Sequence, residues 1–116
     1  MPQQDQSIAV KTDVAPGVVV VHPQGDVDMS RSPELRTTIR SVQERRPPKV
    51  IIDLTDVEYM DSSGLATLVE AMRTAKSNNT AMILCGMHDK VRSIFEIARL
   101  NQFFKIVDNL DAAVSA

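Results

Sequence analysis

The sequence predicts a small α/β sandwich, in which a mixed, mostly parallel sheet opens with an antiparallel hairpin and carries helices packed on it. Three observations predict it. Two strand-like segments near the start are separated by the turn residues Ala15, Pro16 and Gly17. From there strand-like and helix-period runs alternate to the end, the order that builds parallel βαβ units. The run KVIIDL, Lys49 to Leu54, is almost wholly apolar and β-branched, as suits a central strand buried on both faces.

The elements follow in order. Ile8 to Lys11 alternate apolar and polar, an edge-like strand. Pro16 fixes φ and Gly17 permits φ > 0, so a turn separates this strand from VVVVH, Val18 to His22. So short a connection makes the two strands antiparallel. Gly25 ends the second strand. Ser32 is placed to cap a helix, with Pro33 at its first position and Glu34 in its favourable first turn. Leu35, Ile39 and Val42 then recur at helical spacing, and RRPP, Arg45 to Pro48, stops the helix.

After the Lys49–Leu54 strand, a second helix starts near Asp61. Leu65, Leu68, Val69, Met72 and Ala75 share one face, with Thr67, Glu70, Arg73 and Ser77 elsewhere. SNN, Ser77 to Asn79, ends it. AMILCG, Ala81 to Gly86, is a second buried strand. Val91, Ile94, Phe95 and Ala98 mark a third amphipathic helix, FKIV a last short strand, and NLDAAVSA a weak C-terminal helix. Right-handed crossovers put the helices on the faces of the sheet.

Composition excludes several functions. The 116 residues fit one domain, 1–116, with residues 1–6 expected as a flexible N-terminus. No apolar run is long enough to span a bilayer, and the polar start MPQQDQS has no signal-peptide core, so a cytoplasmic protein without membrane insertion is expected. The lone Cys85 cannot form an internal disulfide, which fits a reducing compartment. A net charge of −2 and 3% aromatics offer neither the field nor the stacking platform for direct nucleic-acid binding.

Catalytic and cofactor patterns are missing as well. There is no G-x-S-x-G elbow, and His22 and His88 sit near the wrong elements to serve a triad. Zinc spacings, the dinucleotide fingerprint and the phosphate-binding P-loop are absent, so no cofactor and no metal are expected. Cys85 in an apolar strand reads as packing. Asp53 and Lys105 invite comparison with a receiver domain, but the opening hairpin and the lack of an early acidic pair oppose it. Asp53 reads as a cap or turn acceptor.

Chemistry is best placed in YMDSSGLATLVEAM, Tyr59 to Met72. A parallel strand ends, and its helix begins a short loop later. Open α/β sheets hold ligands at such carboxyl ends, and the free N–H groups of a helix start favour an anion. A phosphate on Ser62 or Ser63 would be tolerated there and would add about −1.5 to −2 charge, with Asp61 opposing it. Helix capping by Asp or Ser is the competing reading, and one residue can cap while the next is modified.

DLTDVEYMDSSGLATLVEAM resembles the signature region of STAS-domain proteins, particularly anti-sigma factor antagonists. The resemblance continues in GDVDMSRSPEL and in the stretch from Ala81 to Val114. It implies a non-enzymatic protein that binds an anti-sigma factor that is also a serine kinase. Binding makes that factor release its sigma factor. Phosphorylation of a serine in the Asp-Ser-Ser-Gly segment ends the binding, and a serine phosphatase restores it. The resemblance points to Ser63, with Ser62 as the alternative. The partner-binding face it implies comprises Asp28, Met60, Asp61, Ser62, Ser63 and Gly64, with Asp26 at the same end of the sheet. Turn hydrogen bonding competes for Asp28 and core packing for Met60. Ala66 departs from the family, where glycine is common. The alternative use of such a module is as an accessory subunit of a membrane transporter, such as a lipid-transport ABC complex. Oligomeric state is not set by the sequence.

Overall fold

The computed structural model describes residues 8–116; the segment expected to be flexible, 1–6, lies outside the described residues. Five strands, β1 (Ile8–Lys11), β2 (Val18–Pro23), β3 (Lys49–Asp53), β4 (Ala81–Cys85) and β5 (Lys105–Val107), form one sheet in sequential order. β1 and β2 are antiparallel, and every later pair is parallel. Four helices accompany them: α1 (Ser32–Glu44), α2 (Ser62–Ser77), α3 (Asp89–Ile97) and α4 (Leu110–Ser115). The mixed sheet and the element order agree with the sequence, with strand limits differing by a residue.

The sequential order has a geometric consequence. Three right-handed crossovers that always step the same way put α1, α2 and α3 on one face. Their buried residues, Leu35, Ile39, Leu68, Met72, Val91 and Phe95 among them, share a core with Val19, Val21, Val50, Ile52, Met82 and Leu84 of the sheet. The opposite face, Val18, Val20, Ile51, Ile83 and Cys85, packs against Ala113 of α4. Lys49 holds α4 there. Its ammonium donates to the carbonyls of Ala113, Val114 and Ala116 at 3.1, 2.8 and 2.6 Å, at the helix end where carbonyls run short of partners inside the helix.

Four details differ from the expected pattern. Ser32 is the first residue of α1 rather than its cap; Arg31 holds that position without a side-chain capping bond. The carbonyl of Asp28 accepts the N–H groups of Arg31 and Ser32 instead. Thr67 is buried, because its hydroxyl donates to the Ser63 carbonyl at 3.0 Å and so loses no hydrogen bond on leaving water. Leu65 and Val69 are only partly covered. Ala98 lies beyond the last turn of α3 and is exposed, since Arg99 adopts φ +59° and turns the chain away.

Candidate functional site

The chain beyond β2 and the chain beyond β3 continue side by side past the ends of their strands. Gly25 N–H donates to Asp56 O at 2.9 Å, Val27 N–H to Tyr59 O at 2.9 Å, and Asp61 N–H to Val27 O at 3.1 Å. Val27 and Met60 form an isolated parallel bridge, and both side chains are buried with Leu54 and Val57 beneath. The residues that follow them, Asp28 and Asp61, therefore emerge together at the carboxyl end of the sheet. Arg31 fixes the first loop by donating to the carbonyls of Gln24 and Asp26 at 2.6 and 2.9 Å.

Asp61 is the cap of α2. One carboxylate oxygen, Oδ1, accepts the Ser63 N–H at 2.9 Å, the Ser63 hydroxyl at 2.6 Å and the Gly64 N–H at 3.3 Å. Asp28 repeats the arrangement on the neighbouring loop: its Oδ1 accepts the Ser30 N–H at 2.9 Å and the Ser30 hydroxyl at 2.6 Å. The Ser63 hydroxyl holds the Asp61 carboxyl below its ordinary value, and the Ser30 hydroxyl does the same for Asp28. The nearby charge of Asp61 opposes the shift at Asp28. The face thus carries two adjacent negative charges, each already engaged by a serine.

The expected site residues separate into two layers. Ser62 is exposed, while Ser63, Asp61 and Asp28 are half-exposed. Met60, expected as a supporting contact, is 1% exposed and belongs to the core, because its bridge to Val27 turns its side chain inward. Gly64 is also buried and offers no surface to a partner. Its role is close approach: a Cβ there would lie 2.7 Å from Met60 Cγ, 2.8 Å from Val27 Cγ1 and 3.1 Å from Val27 O. Asp26 is exposed on the same loop. Sequence reasoning missed Met29 and Tyr59, which are 75% and 51% exposed beside the paired loops. Loop residues carry no periodicity to reveal such exposure.

The other chemical candidates are occupied structurally. Asp53 accepts the Thr55 N–H at 3.1 Å and the Thr55 hydroxyl at 2.5 Å, the turn role expected of it. Gly86, at φ +77°, leaves room for Thr55 that a Cβ would take. His22 lies between carboxylates, with Nε2 2.7 Å from Asp56 Oδ2 and Nδ1 3.4 Å from Asp53 Oδ2, and so ties β2 to the loop after β3. His88 meets the Thr55 carbonyl through Nε2 at 2.6 Å. Burial, reinforced by the Asp53 charge, pushes the Cys85 thiol up to about 12, which keeps it protonated and unreactive. Among the described residues, no group of three or more His, Cys, Asp or Glu side chains could hold a metal ion.

The family model of the STAS domain matches residues 9–113. The chain belongs to the STAS-domain family. Among STAS relatives, the anti-sigma-B factor antagonist of Listeria monocytogenes is 30% identical over 82 residues, covering 71% of this chain and 72% of that protein. The crystal structure of an anti-sigma factor antagonist from Mycobacterium paratuberculosis superposes with a TM-score of 0.84. It is 27% identical and covers 98% of this chain and 97% of its own. The Bacillus cell fate determinant SpoIIAA in its phosphorylated form shares the STAS fold, with a TM-score of 0.72, 19% identity and coverage of 94% and 97%. Among the described residues no helix is long and apolar enough to cross a membrane.

Proposed function

We propose that this chain is an anti-sigma factor antagonist that binds a serine-kinase anti-sigma factor and is switched off by phosphorylation of Ser63. The observation that carries the reading is the Asp61–Ser63 unit, a surface serine held by its hydroxyl on the cap of α2 at the carboxyl end of the sheet. The relatives named as antagonists support the general role and do not favour the transporter-subunit alternative. The chain supplies the substrate serine and the docking face; the partner supplies nucleotide and catalysis. A serine phosphatase reverses the step, and the setting is cytoplasmic.

The geometry gives the phosphate a defined local effect. Phosphorylated Ser63 has no hydroxyl proton to donate to Asp61, so the 2.6 Å bond is lost. A group of about −1.5 to −2 charge then faces Asp61 and Asp28. It competes with Asp61 for the N–H groups of Ser63 and Gly64 at the positive end of α2. Ser63 is half-exposed, beside the buried Val27–Met60 bridge. The added charge and bulk stay at the surface, where a partner must desolvate them. Leaving a buried charge unpaired costs on the order of several kcal/mol, and about 1.4 kcal/mol is already tenfold in affinity.

The test is phosphosite mapping with a purified serine-kinase anti-sigma factor and ATP. The native chain should be phosphorylated on Ser63 and then released. Ser63→Ala should still bind and accept no phosphate, and Ser63→Asp should bind at least tenfold more weakly. Phosphate confined to Ser62 would show that the other serine is the acceptor. Absence of both binding and phosphorylation would refute the reading.

A further inference from the structure

Alternation along β2 puts the His22 side chain on the same face of the sheet as Val18 and Val20. That face is apolar across the middle of the sheet and turns polar at its carboxyl end. There His22 lies beside Asp53 of β3, and Asp53 pairs with Cys85 of β4. The His22 side chain keeps 13% of its surface in water and the Asp53 side chain 7%.

Both ring nitrogens face carboxylate oxygens. Nε2 is 2.7 Å from Asp56 Oδ2, and Nδ1 is 3.4 Å from Asp53 Oδ2. Nδ1 is buried and has no hydrogen-bond partner at that distance. The other Asp53 oxygen already accepts the Thr55 N–H and hydroxyl. A neutral imidazole donates through one nitrogen and presents a lone pair at the other. Either tautomer therefore turns a lone pair toward a carboxylate. The imidazolium donates at both nitrogens and has two opposite charges to meet it.

The groups around the ring come from every neighbouring element. On β1, Ala9 pairs with His22 and brings no charge. Beyond Asp53, the Cys85 thiol is pushed up to about 12 and stays protonated. Arg31, at the start of α1, donates to the Gln24 carbonyl two residues further along. His88, before α3, meets the Thr55 carbonyl. Asp108 and Asp111, at the start of α4, are exposed.

The ring also holds more than one strand end. Asp56, its partner at Nε2, accepts the Gly25 N–H through its backbone carbonyl at 2.9 Å. That bond is the first rung of the ladder that continues from Val27 to Tyr59 and from Asp61 to Val27, and so reaches the two site aspartates. Losing the grip on Asp56 loosens the ladder at its root.

We propose that His22 is a pH-sensitive clamp: its imidazolium bridges Asp53 and Asp56 and holds the paired loops, and loss of its proton at higher pH releases them. Both ties are complete below the ordinary histidine value of about 6.5 and are lost as pH rises through the folded-state value. The clamp works within this chain and holds whether or not an anti-sigma factor is its partner.

NMR on the intact chain tests it, from about pH 5.5 to about pH 9, a range that brackets the histidine value. At the low end the imidazole nitrogen shifts of His22 should show both nitrogens protonated. The proton should then leave Nδ1, because Nε2 has the closer carboxylate. Over the same range the protection factors of the Gly25, Val27 and Asp61 amides should fall at least fivefold. His22→Gln keeps a donor but cannot become charged, and its protection should stay within about twofold throughout. His88→Gln should reproduce the native profile, which excludes the other histidine. Asp56→Asn changes a side chain that is 53% exposed, so it tests the clamp even if His22→Gln fails to fold. It should move the His22 titration to lower pH. A His22 ring already neutral at the low end, amide protection independent of pH, an unmoved titration in Asp56→Asn or a native profile in His22→Gln would each overturn the clamp.

Discussion

Replacing Gly64 by alanine tests how tightly the two loops of the site are joined. Ordinary carbon contacts lie at about 3.5–4.0 Å. The new methyl would stand 2.7 Å from Met60 Cγ, 2.8 Å from Val27 Cγ1 and 3.1 Å from the Val27 carbonyl oxygen. Met60 is flexible and can move its Cγ. Val27 is β-branched, and its carbonyl accepts the Asp61 N–H, so it yields only if the bridge opens. Overpacking of this kind costs about 1–3 kcal/mol, against at most about 1 kcal/mol gained from helix propensity. The net expectation is a loss of about 1–2 kcal/mol, or roughly 4–10 °C in Tm at this chain length. Thermal melting reads the loss. Amide exchange locates it: the Val27 and Asp61 N–H groups should exchange faster, while the β3–β4 pairing does not change. An unchanged or raised Tm with normal exchange at both amides would show that the approach of α2 to the loop is not sterically tight.

Three further outcomes are expected. Asp61→Ala removes the acceptor of three hydrogen bonds at the start of α2 and should cost about 0.5–2 kcal/mol in urea unfolding; a neutral result would mean that the serine alone caps the helix. Leu68→Asp puts an unpaired charge at a fully buried core position and should abolish cooperative unfolding near room temperature; a native melt would refute the placement of α2. Asp28 and Asp61 have folded-state values below the ordinary 3.8, so the stability they contribute is complete above that value and is lost as pH falls through their lower folded ones. NMR titration of the Ser30, Ser63 and Gly64 amides should show midpoints below 3.8, and midpoints at or above it would contradict the hydrogen bonds.

The alternation of β-branched and amphipathic runs made the sheet and all four helices legible, because burial pattern is a local property of each element. The Asp-Ser-Ser-Gly helix start was legible for the same reason. What escaped depends on partners distant in sequence. Met60 reads either as a contact or as core, and the choice falls to core only once Val27 is known to lie beside it. Thr67 reads as solvent-facing until its hydroxyl is known to be satisfied by Ser63 O and the residue to lie beside Ile39 and Gln43 of α1. Periodicity ran one residue too far at Ala98 because the left-handed position there is Arg99, with no glycine to announce it. The packing of the turn after α3 is equally hidden, since Phe95, Phe103, Phe104 and Lys76 come from two helices and a turn and meet only in the fold.

The paired loops beneath Asp28 and Asp61 bear on the timing of the proposed switch. Their backbone is already hydrogen-bonded and Val27, Leu54, Val57 and Met60 are already buried, so a docking partner has little backbone left to order. A prearranged face spares association the entropy of fixing a mobile one. Kinase and phosphatase turnover, rather than any folding step in this chain, would then set how quickly the signal is written and erased.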